Sequence, residues 1–194
     1  MKETFQPEPS ICEGETDEEV FRSYMEDLDL KPEDFKGKIL DVGAGTAQFA
    51  KWARDHHVSD QIYSLDERGD RLHKEKSVVG RAEQLPFADN SFDLIVSDGA
   101  IPNVVFSVEG IVQSLLEMWR VIKPGHEIRL ARVLNGYKLL PHIIVNEGMS
   151  KALDLLEAKG ATVKMKHLAY ADVYNTDNTD LISESYLVII RKPE

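Results

Sequence analysis

The stretch that most limits what this chain can fold into is Lys38 to Ala50, KILDVGAGTAQFA, where an apolar run breaks into a small-residue turn and then into a helix. Ile39, Leu40 and Val42 predict a buried strand. Gly43, Ala44 and Gly45 let the backbone turn sharply and come close to a ligand, because Gly has no Cβ and tolerates positive φ. From Ala47 to Arg54, the residues Phe49, Ala50 and Ala53 recur at helical spacing. The first-turn N–H groups of that helix have no partner within it and point back at the turn, so the stretch reads as a ligand cradle.

Two ligand classes use a strand, a Gly-x-Gly turn and a helix. A dinucleotide site needs G-x-G-x-x-G, with a pyrophosphate on the helix N-terminus. Here Gln48 stands at the third glycine position, where it would crowd helix against strand, and Asp41 lies just before the turn, badly placed beside a pyrophosphate. An acidic residue there suits a ligand with an amino group. A nicotinamide-dependent oxidoreductase is therefore disfavoured.

Asp41-Val-Gly43-Ala-Gly45-Thr-Ala47 resembles the first motif, D/E-x-G-x-G-x-G, of the class I S-adenosylmethionine-dependent methyltransferases, with Ala47 in place of the last glycine. The resemblance is to the small-molecule type, methyltransferase-11-like. It implies that Gly43, Ala44 and Gly45 pack against the methionine moiety and ribose of S-adenosylmethionine, and that Asp41 helps to hold the amino group.

Gln61 to Asp66 predicts a second strand ending in a carboxylate. Asp66 follows the glycine turn by about 20 residues, the distance at which a strand-helix-strand unit brings an acidic side chain beside a ribose. Glu67 stands next to it. The segment Gly80 to Ser97, GRAEQLPFADNSFDLIVS, resembles G-D-A-E-x-L-P-F followed by F-D-L-V in small-molecule members of the family. In that pattern the aspartate binds the adenine amino group and the next backbone N–H, here that of Ala82, meets a ring nitrogen. Arg81 occupies the aspartate position, and Arg has donors only. Either Glu83 or a main-chain carbonyl accepts from the amine, or Arg81 stacks on the ring. Leu85, Pro86 and Phe87 form the floor under the adenine or simply pack the loop on the sheet.

The strand Phe92–Asp98 ends at Ser97 and Asp98, on the edge where a doubly wound sheet places its chemistry. Asp98 and Asn103 are the polar residues nearest to an acceptor. Many small-molecule members carry histidine at the position of Asn103, and Asn is a poor base. The N/D-P-P-aromatic signature of amino-directed nucleic-acid methyltransferases is missing after Ser97. Residues 135–146 predict a loop, with Tyr137, Pro141 and His142, where acceptor-binding elements sit in this fold. His142 is the candidate titrating group there, or a packed histidine. No Cys, His or carboxylate cluster has metal-site spacing.

Thr16-Asp-Glu-Glu19 has the form of a capping box, and Val20, Phe21, Tyr24, Met25 and Leu28 follow as an apolar stripe. This helix packs on the sheet. The resemblance adds that it lies over the cofactor pocket as a lid, with Tyr24 or Phe21 toward the acceptor. Residues 1–15 read as an irregular arm. Elsewhere the pattern predicts a short charged helix over 67–76, a strand over 77–82, a helix over 108–122 and a strand over 127–133. A helix over 149–159 follows, then strands over 162–170 and 186–191 joined by a polar loop. RVIKPGH, with Trp119 just before it, resembles the family's structural R-V-L-K-P-G-G, so Trp119 and Arg120 are assigned no chemistry.

The expected fold is α/β, Rossmann-like and doubly wound. It has a mostly parallel seven-stranded sheet with an antiparallel closing pair and helices on both faces. Residues 1–35 form an arm and lid-like helix, and 36–194 a single cofactor-binding domain. The net charge of −11 opposes attraction to phosphate backbones, which disfavours nucleic acid as a substrate. Cys12 is the lone cysteine, and no apolar run reaches spanning length, so the expected setting is cytoplasmic and off the membrane. The resemblance implies methyl transfer from S-adenosylmethionine to a small-molecule acceptor by in-line displacement, with S-adenosylhomocysteine as product. The substitutions at Arg81 and Asn103 leave open a non-catalytic sensor or scaffold with the same fold.

Overall fold

The computed structural model describes the backbone of residues 14–69, 76–105, 107–135, 140–173 and 181–194, and the side chains of these except 135–142 and 169–183. The arm over 1–13, most of the charged stretch over 67–76, and Tyr137 lie outside the described residues.

Helix α1 (Asp17–Asp27) opens on the expected capping box: the Glu19 N–H donates to Thr16 Oγ1, and the Thr16 N–H donates back to Glu19. After a 3-10 turn (Pro32–Lys36), β1 (Ile39–Val42) leads through the glycine turn into α2 (Gln48–Asp55). Then follow β2 (Ile62–Asp66), β3 (Ser77–Val79), β4 (Phe92–Asp98) and α3 (Val108–Val121). The chain closes with β5 (Ile122–Asn135), α4 (Leu140–Glu157), β6 (Thr162–Val173) and β7 (Leu181–Arg191). The strands form one seven-stranded sheet in the order β3-β2-β1-β4-β5-β7-β6. The first five run parallel, and β7 is antiparallel to both β5 and β6. Strand order reverses direction at β1 and β4, so a crevice opens at their C-terminal ends.

Alternation along the strands sorts residues to two cores. Leu40, Val42, Ile95, Ile128 and Leu130 face α3 and α4, meeting Ile111, Leu115, Met118, Ala152 and Leu156. Ile39, Leu94 and Val96 face α1 and α2. There Phe21 stacks on Trp52 with centroids 4.1 Å apart, and Tyr24 stacks on Phe49 at 4.4 Å. Burial of these aromatic faces seats α1 on the sheet, as the stripe of apolar residues requires.

Four boundaries differ from the sequence reading. The loop expected over 135–146 is helical from Leu140, so His142 sits in the first turn of α4. Val145, Met149, Ala152 and Leu156 bury one continuous face, and Pro141 falls where a helix has no N–H to lose. Gly148 lets α4 approach α3, since a Cβ there would stand 2.8 Å from Ile111 Cβ. β3 stops at Val79, and Arg81 makes only an isolated bridge to Gln84. β5 starts directly at Ile122, with its ladder shifted against β4 where Lys123-Pro-Gly125 interrupts it. The closing strands are longer than expected, because each extends its partner's ladder beyond the apolar residues.

Candidate active site

The parallel registers Asp41↔Ser64 and Asp41↔Val96 bring the ends of β2 and β4 to either side of the glycine turn. The turn is pinned to β2, with the N–H groups of Gly43 and Ala44 both donating to the Leu65 carbonyl at 2.8 and 3.1 Å. Gly43 has φ +79°, and a Cβ on it would lie 2.3 Å from Ala100 Cβ on the neighbouring loop. Gly45, at φ +57°, has nothing among the described residues within 4 Å of where its Cβ would stand. Its requirement is conformational, and its outer face is open for a ligand. Ala47 takes a left-handed conformation at φ 60°, where alanine costs roughly 1–2 kcal/mol. That is why glycine is the family's residue at that position.

Asp66 ends β2 by accepting from the Gly45 N–H and the Arg68 N–H, each at 2.9 Å. A carboxylate has about four lone-pair sites, so each oxygen keeps capacity for a further donor. Glu67 beside it is exposed. Asp41 is wholly buried on the α1 side of β1, where the Tyr24 hydroxyl donates to its carboxylate. Burial pushes the Asp41 carboxyl well above the usual carboxylate range; the Asp98 and Asp66 charges add to this and the Tyr24 hydrogen bond opposes it.

Asp98 ends β4 with its side chain 5% exposed. Burial raises its carboxyl to about 6, Arg132 opposes the rise, and Asp27 and Glu15 add to it. Its Oδ1 lies 3.3 Å from Arg132 Nε, close enough for charge attraction but without hydrogen-bond geometry, so among the described residues that oxygen has no hydrogen-bond donor. Ser97 is turned inward: its Oγ donates to the Val42 carbonyl and accepts from the Ile101 N–H. Asn103 donates to the carbonyls of Gly99 and Arg132 and accepts from the Leu134 N–H, tying the loop after β4 to β5.

Beyond β3, Ala82 is buried and Arg81 is exposed, its guanidinium 2.8 Å from Glu83. Leu85 is buried, Phe87 packs edge-on against Phe92, and Pro86 is exposed. Arg120 donates to the carbonyls of Leu85 and Phe87 and pairs with Glu117 and Asp89, fixing this loop from below. Phe21, one of two aromatics expected toward an acceptor, is instead within the stack of Phe35, Phe49 and Trp52. The His142 side chain lies outside the described residues. Among those residues no three His, Cys, Asp or Glu side chains stand together as a metal site.

Residues 40–129 match the family model described as "Methyltransferase domain". With the sheet order and glycine turn, that match makes the chain similar over this segment to the class I S-adenosylmethionine-dependent methyltransferases. A demethylmenaquinone methyltransferase of Corynebacterium glutamicum is 37% identical to this chain over 108 residues, covering 54% of this chain and 44% of that relative. The chain thus spans less than half the length of that curated relative. Two solved structures share the fold. The YcgJ protein of Bacillus subtilis aligns with TM-score 0.61 at 14% identity, over 91% of this chain and 99% of that one. A phosphoethanolamine N-methyltransferase 2 of Haemonchus contortus, solved with S-adenosylhomocysteine, aligns with TM-score 0.58 at 12% identity, over 91% of this chain and 53% of its own.

Arg132, Asp27 and Ser23, which join Asp98 to α1, were not legible in the methyltransferase motifs. Ser23 and Asp27 lie on α1 and Arg132 on β5, and no local pattern links the two elements.

Proposed function

We propose that this chain transfers the methyl group of S-adenosylmethionine to a small-molecule acceptor. The observation that carries the reading is the pairing of the glycine turn with Asp66, in which Gly45 N–H and Asp66 Oδ2 lie 2.9 Å apart at adjacent strand ends. The residues present suit that ligand. Gly45 leaves open space, Asp66 keeps acceptor capacity for ribose hydroxyls, and the carboxylates of Asp41, Asp66 and Asp98 suit a ligand with cationic sulfonium and ammonium groups. The roles of Ala44, Glu67, Arg81, Ala82, Glu83 and Ser97 in lining the site are part of the same reading.

When bound, S-adenosylmethionine supplies an already activated methyl group. The protein's task is to hold donor and acceptor in line, and orientation of that kind contributes roughly 7–11 kcal/mol. Asp98, with its carboxyl near 6, is mostly ionised at neutral pH and stands ready to take a proton from an acceptor hydroxyl. Asn103, whose amide is engaged on both sides with backbone, shapes the acceptor loop. His142 is the second candidate base. The net charge of −11 and the name of the Corynebacterium relative support a small organic acceptor over nucleic acid. No helix among the described residues is long and apolar enough to cross a membrane, and a cytoplasmic setting accords with that. Residues 36–194 act as one domain, with α1 as its lid.

The test is calorimetric titration with S-adenosylmethionine and with S-adenosylhomocysteine, followed by methyl turnover on candidate acceptors. Micromolar binding of both is expected; binding of neither would overturn the reading. Binding without turnover on any acceptor would favour a non-catalytic sensor. The specific observation behind that second reading is the closed Arg81–Glu83 pair where the family presents an aspartate.

A further inference from the structure

Arg132 has a backbone no ordinary strand residue adopts. It sits in β5 at φ 53°, where the ladder to β7 shifts register between Leu130 and Val133. Bulges of this kind re-aim a side chain, and strained non-glycine residues cluster where the surrounding structure holds them for a purpose. Here the holder is visible. The Asn103 side chain donates to the Arg132 carbonyl at 2.7 Å and accepts from the Leu134 N–H at 3.3 Å, so it holds the backbone on either side of Val133, where the irregularity ends.

The re-aimed guanidinium leaves the sheet edge and reaches α1. Its Nε donates to Asp27 Oδ2 at 2.7 Å, and its Nη2 donates to Ser23 Oγ. The same Nε is 3.3 Å from Asp98 Oδ1. We propose that Arg132 is a positioning residue for methyl transfer, a single cation shared by Asp98 at the end of β4 and Asp27 of α1, which makes the seating of α1 over the strand ends and the ionised state of Asp98 depend on one another. This rests on the reading of the site as a methyltransferase centre.

The electrostatics follow from the groups around Asp98. Arg132 of β5 faces it with positive charge, Asp27 of α1 and Glu15 before α1 with negative charge, and Asp41 of β1, its own carboxyl raised by burial, lies close by. Without the guanidinium, Asp27 and Asp98 would repel across the gap. Either α1 would lift at its C-terminal turn or Asp98 would take up a proton. With it, closure of the helix and the charge on the carboxylate are held together. Residues 17–22 are fixed by the stack of Phe21 on Trp52 and by the ion pair of Lys51 with Asp17; over 23–28 the device adds to the anchoring of Tyr24 by Phe49 and Asp41 and of the Leu28 carbonyl by Arg129.

Three variants test this. Arg132→Asn removes the guanidinium but keeps a residue that tolerates positive φ. Asn103→Ala leaves the guanidinium and removes the amide's hydrogen bonds to Gly99, Arg132 and Leu134, none of which is to the Asp98 side chain or to α1. Asp98→Asn removes the carboxylate charge. Amide hydrogen exchange over 23–28 in R132N should quicken at least tenfold, and in N103A at least threefold, with 108–121 unchanged. Carbon-13 NMR should show the Asp98 carboxyl titrating at least one pH unit higher in R132N than in the wild type, and higher in N103A as well. Adding D98N to R132N should recover part of the protection over 23–28. If R132N fails to fold, N103A carries the test alone. Unchanged exchange over 23–28, an equal rise over 108–121, or an unmoved Asp98 titration would overturn the proposal. Titration of the wild type with S-adenosylmethionine is read separately: no binding would sink the methyltransferase reading, while exchange and titration still decide the clamp.

Discussion

Tyr24 of α1 donates its hydroxyl to the buried carboxyl of Asp41, 3.3 Å from one oxygen and 3.4 Å from the other, and so fastens the helix to the middle strand β1. The ring beneath the hydroxyl is held apart from this, in its stack on Phe49. The two contributions can be separated by one atom.

Tyr24→Phe should keep the stack and lose the hydrogen bond. Leaving a buried carboxylate short of a donor costs roughly 1–3 kcal/mol. Since Tyr24 lowers the Asp41 carboxyl against the effect of burial, the variant raises it further. The loss is therefore largest at alkaline pH, where Asp41 is ionised, and shrinks as pH falls through its raised value. Urea unfolding at two pH values measures it; equal stability of Y24F and wild type at alkaline pH would refute the contact.

Asp98 makes the protein less stable as pH rises. Its folded carboxyl titrates near 6 and its ordinary value is 3.8, so between these the folded state binds more protons than the unfolded one. Stability from this group is present below pH 3.8 and lost by the time pH has passed 6. The span corresponds to about 3 kcal/mol. Asp98→Asn should remove that dependence, so the stability difference between wild type and D98N should change across this window and be flat above about pH 7. A difference independent of pH would show that Asp98 titrates normally.

The glycine turn separates packing from binding. Gly43→Ala places a Cβ against Ala100 at a positive φ and should cost roughly 2 kcal/mol or more in stability. Asp66→Ala should instead weaken S-adenosylmethionine binding by about 1.5–3 kcal/mol, the scale of hydrogen bonds to a charged group. Calorimetry on both variants and their unfolding midpoints make the comparison. Unchanged affinity in D66A would take Asp66 out of the site.

Arg81→Asp replaces a donor-only side chain by the acceptor that the resemblance leads one to expect. Arg81 is exposed and its pairing is with Glu83, so the unfolding midpoint should stay near that of the wild type. S-adenosylmethionine affinity should rise severalfold. Lower affinity in R81D would mean that the Arg81–Glu83 pair is itself part of adenine recognition.

The elements that carry short, periodic signals were legible in the chain. The capping box at Thr16, the strand-turn-helix around Gly43, the buried strand from Phe92 and the apolar faces of α1 and α3 each announce themselves within about ten residues. Such patterns record local constraint, namely φ, helical or strand period, and which side must be buried. The place of Asp66 at the end of β2, beside the glycine turn, was legible for the same reason, since a strand-helix-strand unit has a near-fixed length. The α4 start was not: Leu140 and Pro141 read equally as loop or first turn, and only packing of Val145 and Met149 under α3 selects the helix.

By itself, then, the sequence determined the order of strands and helices, the position of the glycine turn and the place of the carboxylates around it. Those follow from period, glycine placement and charge along one continuous segment. Tertiary structure alone decided that Tyr24 meets Asp41, that Asn103 braces the backbone of Arg132, and that Arg132 stands between Asp98 and Asp27. These pairs are separated by 17, 29 and, between Arg132 and Asp27, 105 residues. Their meeting depends on sheet order, on the register at a bulge and on the dihedral angles that aim each side chain, none of which leaves a periodic trace in the chain.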